Sequence, residues 1–234
     1  MTVLRSALFN LFFFVATFLV TLFGTVVSFA APDRVLGVAK FWARLMVCGL
    51  RLICGIDLQV FGRERLMGDE AMLIASRHQS AFDTIIWLTL LPRCCYVVKH
   101  ELLRVPLFGR LVRMAGMIGV DRDGGAAAIR ELMRGGERAV RESRQIVIFP
   151  EGTRGPPDLL LPLQPGVAAL AAHTRLPVVP VVTDSGLCWG RRAFRKKPGT
   201  IHIRILTPIA AGIPRKALIE RLGAALQSDV TEPV

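Results

Sequence analysis

Acidic residues are scarce in this chain of 234 residues: 18 Asp and Glu stand against 30 Lys and Arg, for a net charge of +12. A chain so poor in carboxylates calls for an anionic partner: nucleic acid, an anionic membrane face or a phosphorylated substrate. Cysteine offers little chemistry. Cys48, Cys54, Cys94, Cys95 and Cys188 are odd in number and form no CxxC pair. They read as reduced, buried thiols of a cytosol-facing protein. No Cys/His spacing suits zinc. The one stretch that looks like a calcium loop, Asp121-Arg122-Asp123-Gly124, has Leu132 where the closing bidentate Glu belongs. No metal is therefore expected. The chain also lacks internal repeats and low-complexity segments.

What is present is apolar. Apolar residues make up 52% of the chain, which excludes a disordered or collagen-like protein. The length suffices for one domain with a real core plus a short appendage. We expect a membrane-anchoring helical segment at 1–54 and the main domain at 55–234. Ala7–Ala30 is a run of 24 residues without a charge. A bilayer span needs about 20. A cleaved signal peptide is the rival, but its apolar core is about 7–15 residues. The run is read as an anchor, either spanning the bilayer or bending back within one leaflet. A second helix is expected from about Arg34 to Cys54, capped by Asp33. Its Lys40, Arg44 and Arg51 fall on one stripe at about 100° per residue. Such a stripe on an apolar, Trp-bearing helix suits an anionic interface. It equally suits a helix packed on the domain with a solvated basic edge. Most nearby basic residues follow the first segment, which favours a cytoplasmic location for the remainder.

Beyond Ile56, short apolar runs alternate with helical stretches. Strands are expected at Asp57–Phe61, Met72–Ala75, Cys95–Val98, Met117–Val120, Gln145–Phe149, Val178–Val182 and Ile201–Leu206. Helices are expected at Thr84–Leu91, Leu107–Ala115, Ala126–Ser143, Val167–Thr174 and Arg215–Gln227. The alternation predicts an α/β fold with a mixed, largely parallel sheet flanked by helices. The basic cluster Arg191, Arg192, Arg195, Lys196 and Lys197 reads as a solvated loop or a membrane-facing patch.

Four segments carry candidate chemistry. The first is Arg77-His78-Gln79-Ser80-Ala81-Phe82-Asp83-Thr84. On a regular helix, His78 and Asp83 would lie about 140° apart and could not pair. With His78 in the loop and Asp83 at the helix start, the loop can fold the imidazole onto the carboxylate. The carboxylate would then fix the tautomer, as in a serine-protease triad whose serine is replaced by a substrate hydroxyl. The second is Phe149-Pro150-Glu151-Gly152-Thr153-Arg154, a loop at the carboxyl edge of a strand, where ligands bind α/β sheets. There Gly152 lets a backbone N–H approach a ligand, and Arg154 offers a fork for phosphate oxygens. The third, Gly116-Met117-Ile118-Gly119-Val120-Asp121-Arg122, delivers a basic residue to a strand end. The fourth is Leu176-Pro177-Val178-Val179-Pro180-Val181. Each is weak alone.

In this order and spacing, from about Gly62 to Pro208, the four resemble the glycerolipid acyltransferases with an HxxxxD motif, and among them the bacterial 1-acyl-glycerol-3-phosphate acyltransferases. Lys99-His100-Glu101-Leu102-Leu103-Arg104-Val105-Pro106-Leu107-Phe108-Gly109 and Pro165-Gly166-Val167-Ala168-Ala169-Leu170 share the likeness. The resemblance implies a glycerol-3-phosphate acyltransferase-like fold with N-terminal membrane-anchoring helices. It implies His78 as general base and Asp83 as its orienting partner. The activated hydroxyl would attack the thioester of acyl-CoA or acyl-ACP, a co-substrate; no cofactor or acyl-enzyme is implied. Glu151, Gly152, Thr153 and Arg154, with Arg122, match positions linked to the acceptor's glycerol phosphate. Lys99 matches another phosphate-side position, and Pro180 one on the acyl-donor side. The implied acceptor is a lysophospholipid at the cytoplasmic face of a bacterial inner membrane, with lysophosphatidic acid first and a lyso-ornithine lipid as the alternative. Nucleic-acid binding has no motif to support it. The sequence departs from the family pattern at Arg77, Gly119, Gly155 and Gln164. The missing Lys at position 164 bears on the acceptor more than on the reaction.

Overall fold

Short apolar runs closed by Gly, Pro and charged residues become seven strands in the computed structural model, which describes residues 1–66, 68–121 and 124–230. They are β1 (Ile56–Phe61), β2 (Met72–Ser76), β3 (Cys94–Lys99), β4 (Ile118–Val120), β5 (Gln145–Ile148), β6 (Val178–Thr183) and β7 (Gly199–Ile205). Their order across the sheet is β1-β7-β6-β2-β5-β3-β4. Only β6 and β7 pair antiparallel; the other neighbours are parallel. Every residue of β2, β5 and β6 is buried. Central parallel strands covered on both faces read as continuous apolar runs for this reason.

The helices are α1 (Thr2–Ala30), α2 (Val35–Gly49), α3 (Asp83–Leu90), α4 (Phe108–Met114), α5 (Gly125–Arg141), α6 (Gly166–Thr174), α7 (Ser185–Cys188) and α8 (Arg215–Leu226). Successive strand residues point to opposite faces, which divides the core in two. Ile74, Val147 and Val179 pack under Phe9 of α1, Met46 of α2 and Trp87 of α3. Leu73, Ile146 and Val178 pack with Leu132 of α5, Leu170 of α6 and Leu222 of α8. On α5 the glycines are spacers: a Cβ on Gly135 would come within 2.5 Å of Ile118, and one on Gly136 within 2.5 Å of Leu170.

The N-terminal segment shares this core. At 29 residues, α1 is about 43 Å long, and it is long and apolar enough to cross a membrane. Yet it lies against the domain, and four of its polar side chains, Ser6, Asn10, Thr17 and Ser28, face inward. Ser6 Oγ accepts from the Lys196 amide at 2.9 Å, and Asn10 Oδ1 accepts from the Lys196 ammonium. Thr17 Oγ1 accepts from Trp42 Nε1 at 3.0 Å. Ser28 Oγ accepts from Arg110 Nε at 3.0 Å. These bonds contribute about 0.5–1.5 kcal/mol each. Burial of Phe9, at 0% exposure, contributes more, roughly 1.5–3 kcal/mol. The outer face, including Leu4, Leu8, Leu11, Phe18 and Phe29, is exposed.

Two expectations for the second helix change. Asp33 does not cap it: Asp33 sits in a 3-10 turn, and α2 starts after Arg34 with no side-chain cap. The α-helix ends at Gly49 and continues as a π-helical turn over Leu50–Cys54, closed by Gly55 at φ 68°. Nor is the basic stripe uniform. Lys40 Nζ donates to the carbonyls of Leu91 and Pro92, at 3.0 and 3.1 Å, and so caps the end of α3. Arg51 pairs with Asp57 at 2.9 Å. Arg44 is exposed.

Candidate active site

Three neighbouring parallel strands, β5-β2-β6, end side by side. Their carboxyl ends deliver residues 149–155, 77–83 and 184–186 to one edge of the sheet. This is the edge where open α/β sheets bind ligands.

The loop after β2 does what the spacing demanded. Asp83 is the first residue of α3, and His78 lies in the preceding loop. His78 Nδ1 stands 3.1 Å from Asp83 Oδ2. The same oxygen accepts from the amides of Gln79 at 2.7 Å and Ser80 at 2.8 Å. Oδ1 accepts from the Ser185 hydroxyl at 2.6 Å. Four potential donors thus surround a carboxylate that is only 1% exposed, and they fix its orientation toward the imidazole. With the carboxylate on Nδ1, Nε2 is left as the basic nitrogen of the neutral ring. The ring stacks on Phe149, centroids 4.1 Å apart, and lines a cavity.

Ser185 is absent from the residues singled out by sequence. It opens α7, a one-turn helix that was also not expected. The Gly186 amide donates to Gln79 Oε1 at 3.1 Å, so this turn grips the His78 loop twice. The turn is itself held: Asp184 accepts from the His202 amide at 2.7 Å and contacts His202 Nδ1 at 2.6 Å. The available signal was Asp184-Ser185-Gly186 directly after a strand ending at the same edge.

Glu151 faces the His78 loop and is not among the cavity-lining residues. Its Oε1 accepts from the His78 amide at 2.9 Å and its Oε2 from the Leu161 amide at 3.3 Å. Burial pushes its carboxyl above the usual carboxylate range, against the opposing pull of those two amides. The Gly155 amide donates to the His78 carbonyl at 2.8 Å, so the second loop braces His78 from both sides. Gly155 is needed there, because a Cβ would stand 2.8 Å from Glu151 Oε2. Arg77 Nη2 donates to the carbonyls of Pro157 and Leu159, at 3.2 and 3.1 Å. Gly152 has φ 70°, and its amide donates to the Phe149 carbonyl at 3.0 Å. The glycine therefore serves the turn, and it also lines the cavity.

The cavity has a volume of about 510 Å³. It runs from His78, Gly152, Thr153 and Arg154, past Lys99 at the end of β3, to an apolar wall of Val20, Val38, Trp42, Leu88 and Leu111. Its lining joins basic side chains to a hydrocarbon surface. Burial pulls the Arg154 guanidinium below its ordinary value; Asp83 opposes this and Arg191 adds to it. Pro180 is buried within β6, paired with Ala75, and lies outside the cavity wall. Arg122 lies outside the described residues. Among the described residues, no group of three or more His, Cys, Asp or Glu side chains could hold a metal ion.

Comparison with known proteins gives the family and the fold. The acyltransferase family profile matches residues 57–184. The chain is 31% identical to the 1-acyl-sn-glycerol-3-phosphate acyltransferase of Pseudomonas aeruginosa over 207 residues, 86% of this chain and 79% of that one. It is 30% identical to the human 1-acyl-sn-glycerol-3-phosphate acyltransferase alpha over 71% of this chain and 59% of that one. The crystal structure of the 1-acyl-sn-glycerophosphate acyltransferase of Thermotoga maritima superposes with a TM-score of 0.79 at 23% identity. It covers 98% of this chain and 97% of that one, and so shares the fold. A His–Asp pair at the sheet edge, braced by the second loop and opening on an apolar cavity, thus sits in a chain that belongs to the acyltransferase family.

Proposed function

We propose that this enzyme transfers a fatty acyl group from acyl-CoA or acyl-ACP to the sn-2 hydroxyl of 1-acyl-glycerol-3-phosphate, giving phosphatidic acid. The observation that carries the reading is the cavity's mixed lining, in which His78 shares one wall set with the basic Lys99, Arg154, Arg191 and Arg192 and with apolar side chains. In this mechanism His78 Nε2 takes the proton of the acceptor hydroxyl, and Asp83 steadies the imidazolium that forms. The oxygen attacks the thioester carbonyl and the thiol leaves with a proton. Arg154 and Lys99 bind phosphate oxygens. An acyl chain lies along the apolar wall formed by α1, α2 and α3. Glu151 and Ser185 work one step back, by holding the His78 loop and Asp83.

The same reading places the protein at a lipid surface. Ser6, Asn10, Thr17 and Ser28 of α1 face the domain, while Leu4, Leu8, Leu11, Phe18 and Phe29 are exposed, which suits a helix seated in one leaflet with the cavity open to lipid. The site would face the cytoplasm of a bacterial inner membrane. Purified full-length protein should be assayed in detergent micelles against a panel of lysolipids. Turnover of lysophosphatidic acid to phosphatidic acid is expected. Turnover of a lyso-ornithine lipid without turnover of lysophosphatidic acid would sink the assignment of acceptor while leaving the chemistry.

A further inference from the structure

Residues 189–198, between α7 and β7, carry five cations, and the structure splits them. Lys196 is 2% exposed. Its amide and its ammonium bond to Ser6 and Asn10 of α1. The ammonium also donates to the Phe194 carbonyl at 3.0 Å and stands 4.8 Å over the Trp189 ring. The Lys197 amide donates to the Cys188 carbonyl at 2.8 Å, and the Ala193 amide to the Gly190 carbonyl at 3.1 Å. This segment is fixed against α1 and α7 through Lys196 and the Lys197 amide, while Arg191, Arg192, Arg195 and Lys197 stay exposed.

Held this way, it turns Arg191 and Arg192 onto the cavity wall beside His78, Thr153 and Arg154. Arg192 sits at φ 56°, a left-handed conformation unfavourable for a residue with a side chain. Among the described residues, no carboxylate lies within ion-pair distance of Arg154, Arg191 or Arg192. Three like charges gathered at one mouth repel one another until an anion arrives. Arginine's planar fork suits phosphate oxygens best.

We propose that Arg191 and Arg192 join Arg154 in binding a substrate phosphate in the cavity that His78 lines. The inference rests on the acyl-transfer reading. Two substrates bring that chemistry: the acceptor's phosphate monoester and the phosphates of coenzyme A. Both arginines are exposed, so replacing them leaves the core intact. Arg191→Gln with Arg192→Asn is the variant to use, because Asn tolerates left-handed backbone.

Equilibrium binding should be measured on the full chain in micelles with three probes: lysophosphatidic acid, a monoacylglycerol and coenzyme A. The double variant is expected to lose on the order of 10-fold or more in affinity for a phosphate-bearing probe. Its binding of the monoacylglycerol should match the parent's, and the loss should shrink at high salt. Loss on the lysophosphatidic acid arm assigns the acceptor phosphate; loss on the coenzyme A arm assigns the donor. Parent-like affinity for both phosphate-bearing probes overturns the proposal. Binding is read apart from turnover. A chain that binds lysophosphatidic acid through these arginines but acylates another lysolipid therefore keeps this inference and loses the acceptor assignment.

Discussion

At the residue scale, the site depends on hydrogen bonds to buried charge. Ser185 is the clearest case, with its hydroxyl 2.6 Å from Asp83 Oδ1. Ser185→Ala leaves that oxygen buried without its donor, a loss of about 1.5–3 kcal/mol for a bond to a charged group. Initial-rate assays should show kcat falling on the order of 10- to 100-fold, with Ser185→Thr recovering most of it. Equal activity of Ser185→Ala and parent would remove Ser185 from the positioning role. Glu151 gives a pH test. Its folded pKa lies above the ordinary carboxyl value of 4.5 because burial outweighs its two amide donors. Ionising it therefore costs more in the folded chain than in the unfolded one. Its contribution to stability is largest below the unfolded pKa and declines as pH rises through the folded pKa. Melting temperatures of the parent relative to Glu151→Gln should fall as pH rises from about 4.5. A flat difference would contradict the burial argument. The His–Asp geometry was legible in the sequence, because a separation of five forces a loop-to-helix setting. Ser185 was not, since a serine 102 positions away acquires meaning only when β6 is laid beside β2. The orientation of Glu151 was hidden for a related reason: its motif marks a loop, and only packing decides which way a carboxylate in that loop turns.

At the element scale, the strands and helices expected beyond Ile56 lie within two residues of their apolar runs, although α7 was not among them; β2, β5 and β6 are buried throughout and leave no ambiguity of face. What the pattern could not supply was the docking of α1. A run without charge reads as lipid-facing all round, yet Asn10, Thr17 and Ser28 are turned toward partners on three different elements. That minority of polar positions was the available signal. The same blindness applied to the basic stripe, where Lys40 caps α3 and Arg51 pairs with Asp57. Gly49 tests the docking directly: a Cβ there would meet Phe12 of α1 at 2.4 Å. Gly49→Val should push α1 outward, and limited proteolysis should then release the N-terminal segment faster than in the parent. Unchanged cleavage would show that α1 is held by its polar bonds alone.

At the scale of the whole molecule, one face of the sheet is covered by α1, α2 and α3, and the cavity lies between that layer and the strands. The arrangement joins three things: a basic mouth for phosphate, a hydrocarbon wall for an acyl chain, and an apolar outer surface for lipid. Replacing Leu8, Leu11 and Phe18, all exposed on α1, by Ser removes outward apolar surface without touching the inward polar bonds. Flotation with anionic vesicles should recover less of that triple variant than of the parent, while its activity on micellar substrate persists. Equal flotation would contradict the lipid-facing role of α1. The central claim is that His78 accepts the proton of the acceptor hydroxyl. Its most direct test is the initial rate of phosphatidic acid formation from lysophosphatidic acid by the parent and by His78→Ala, in the same micelles. The account predicts a loss of roughly 10²–10⁴-fold, the usual size of an acid–base contribution; an undiminished rate in the variant would contradict it.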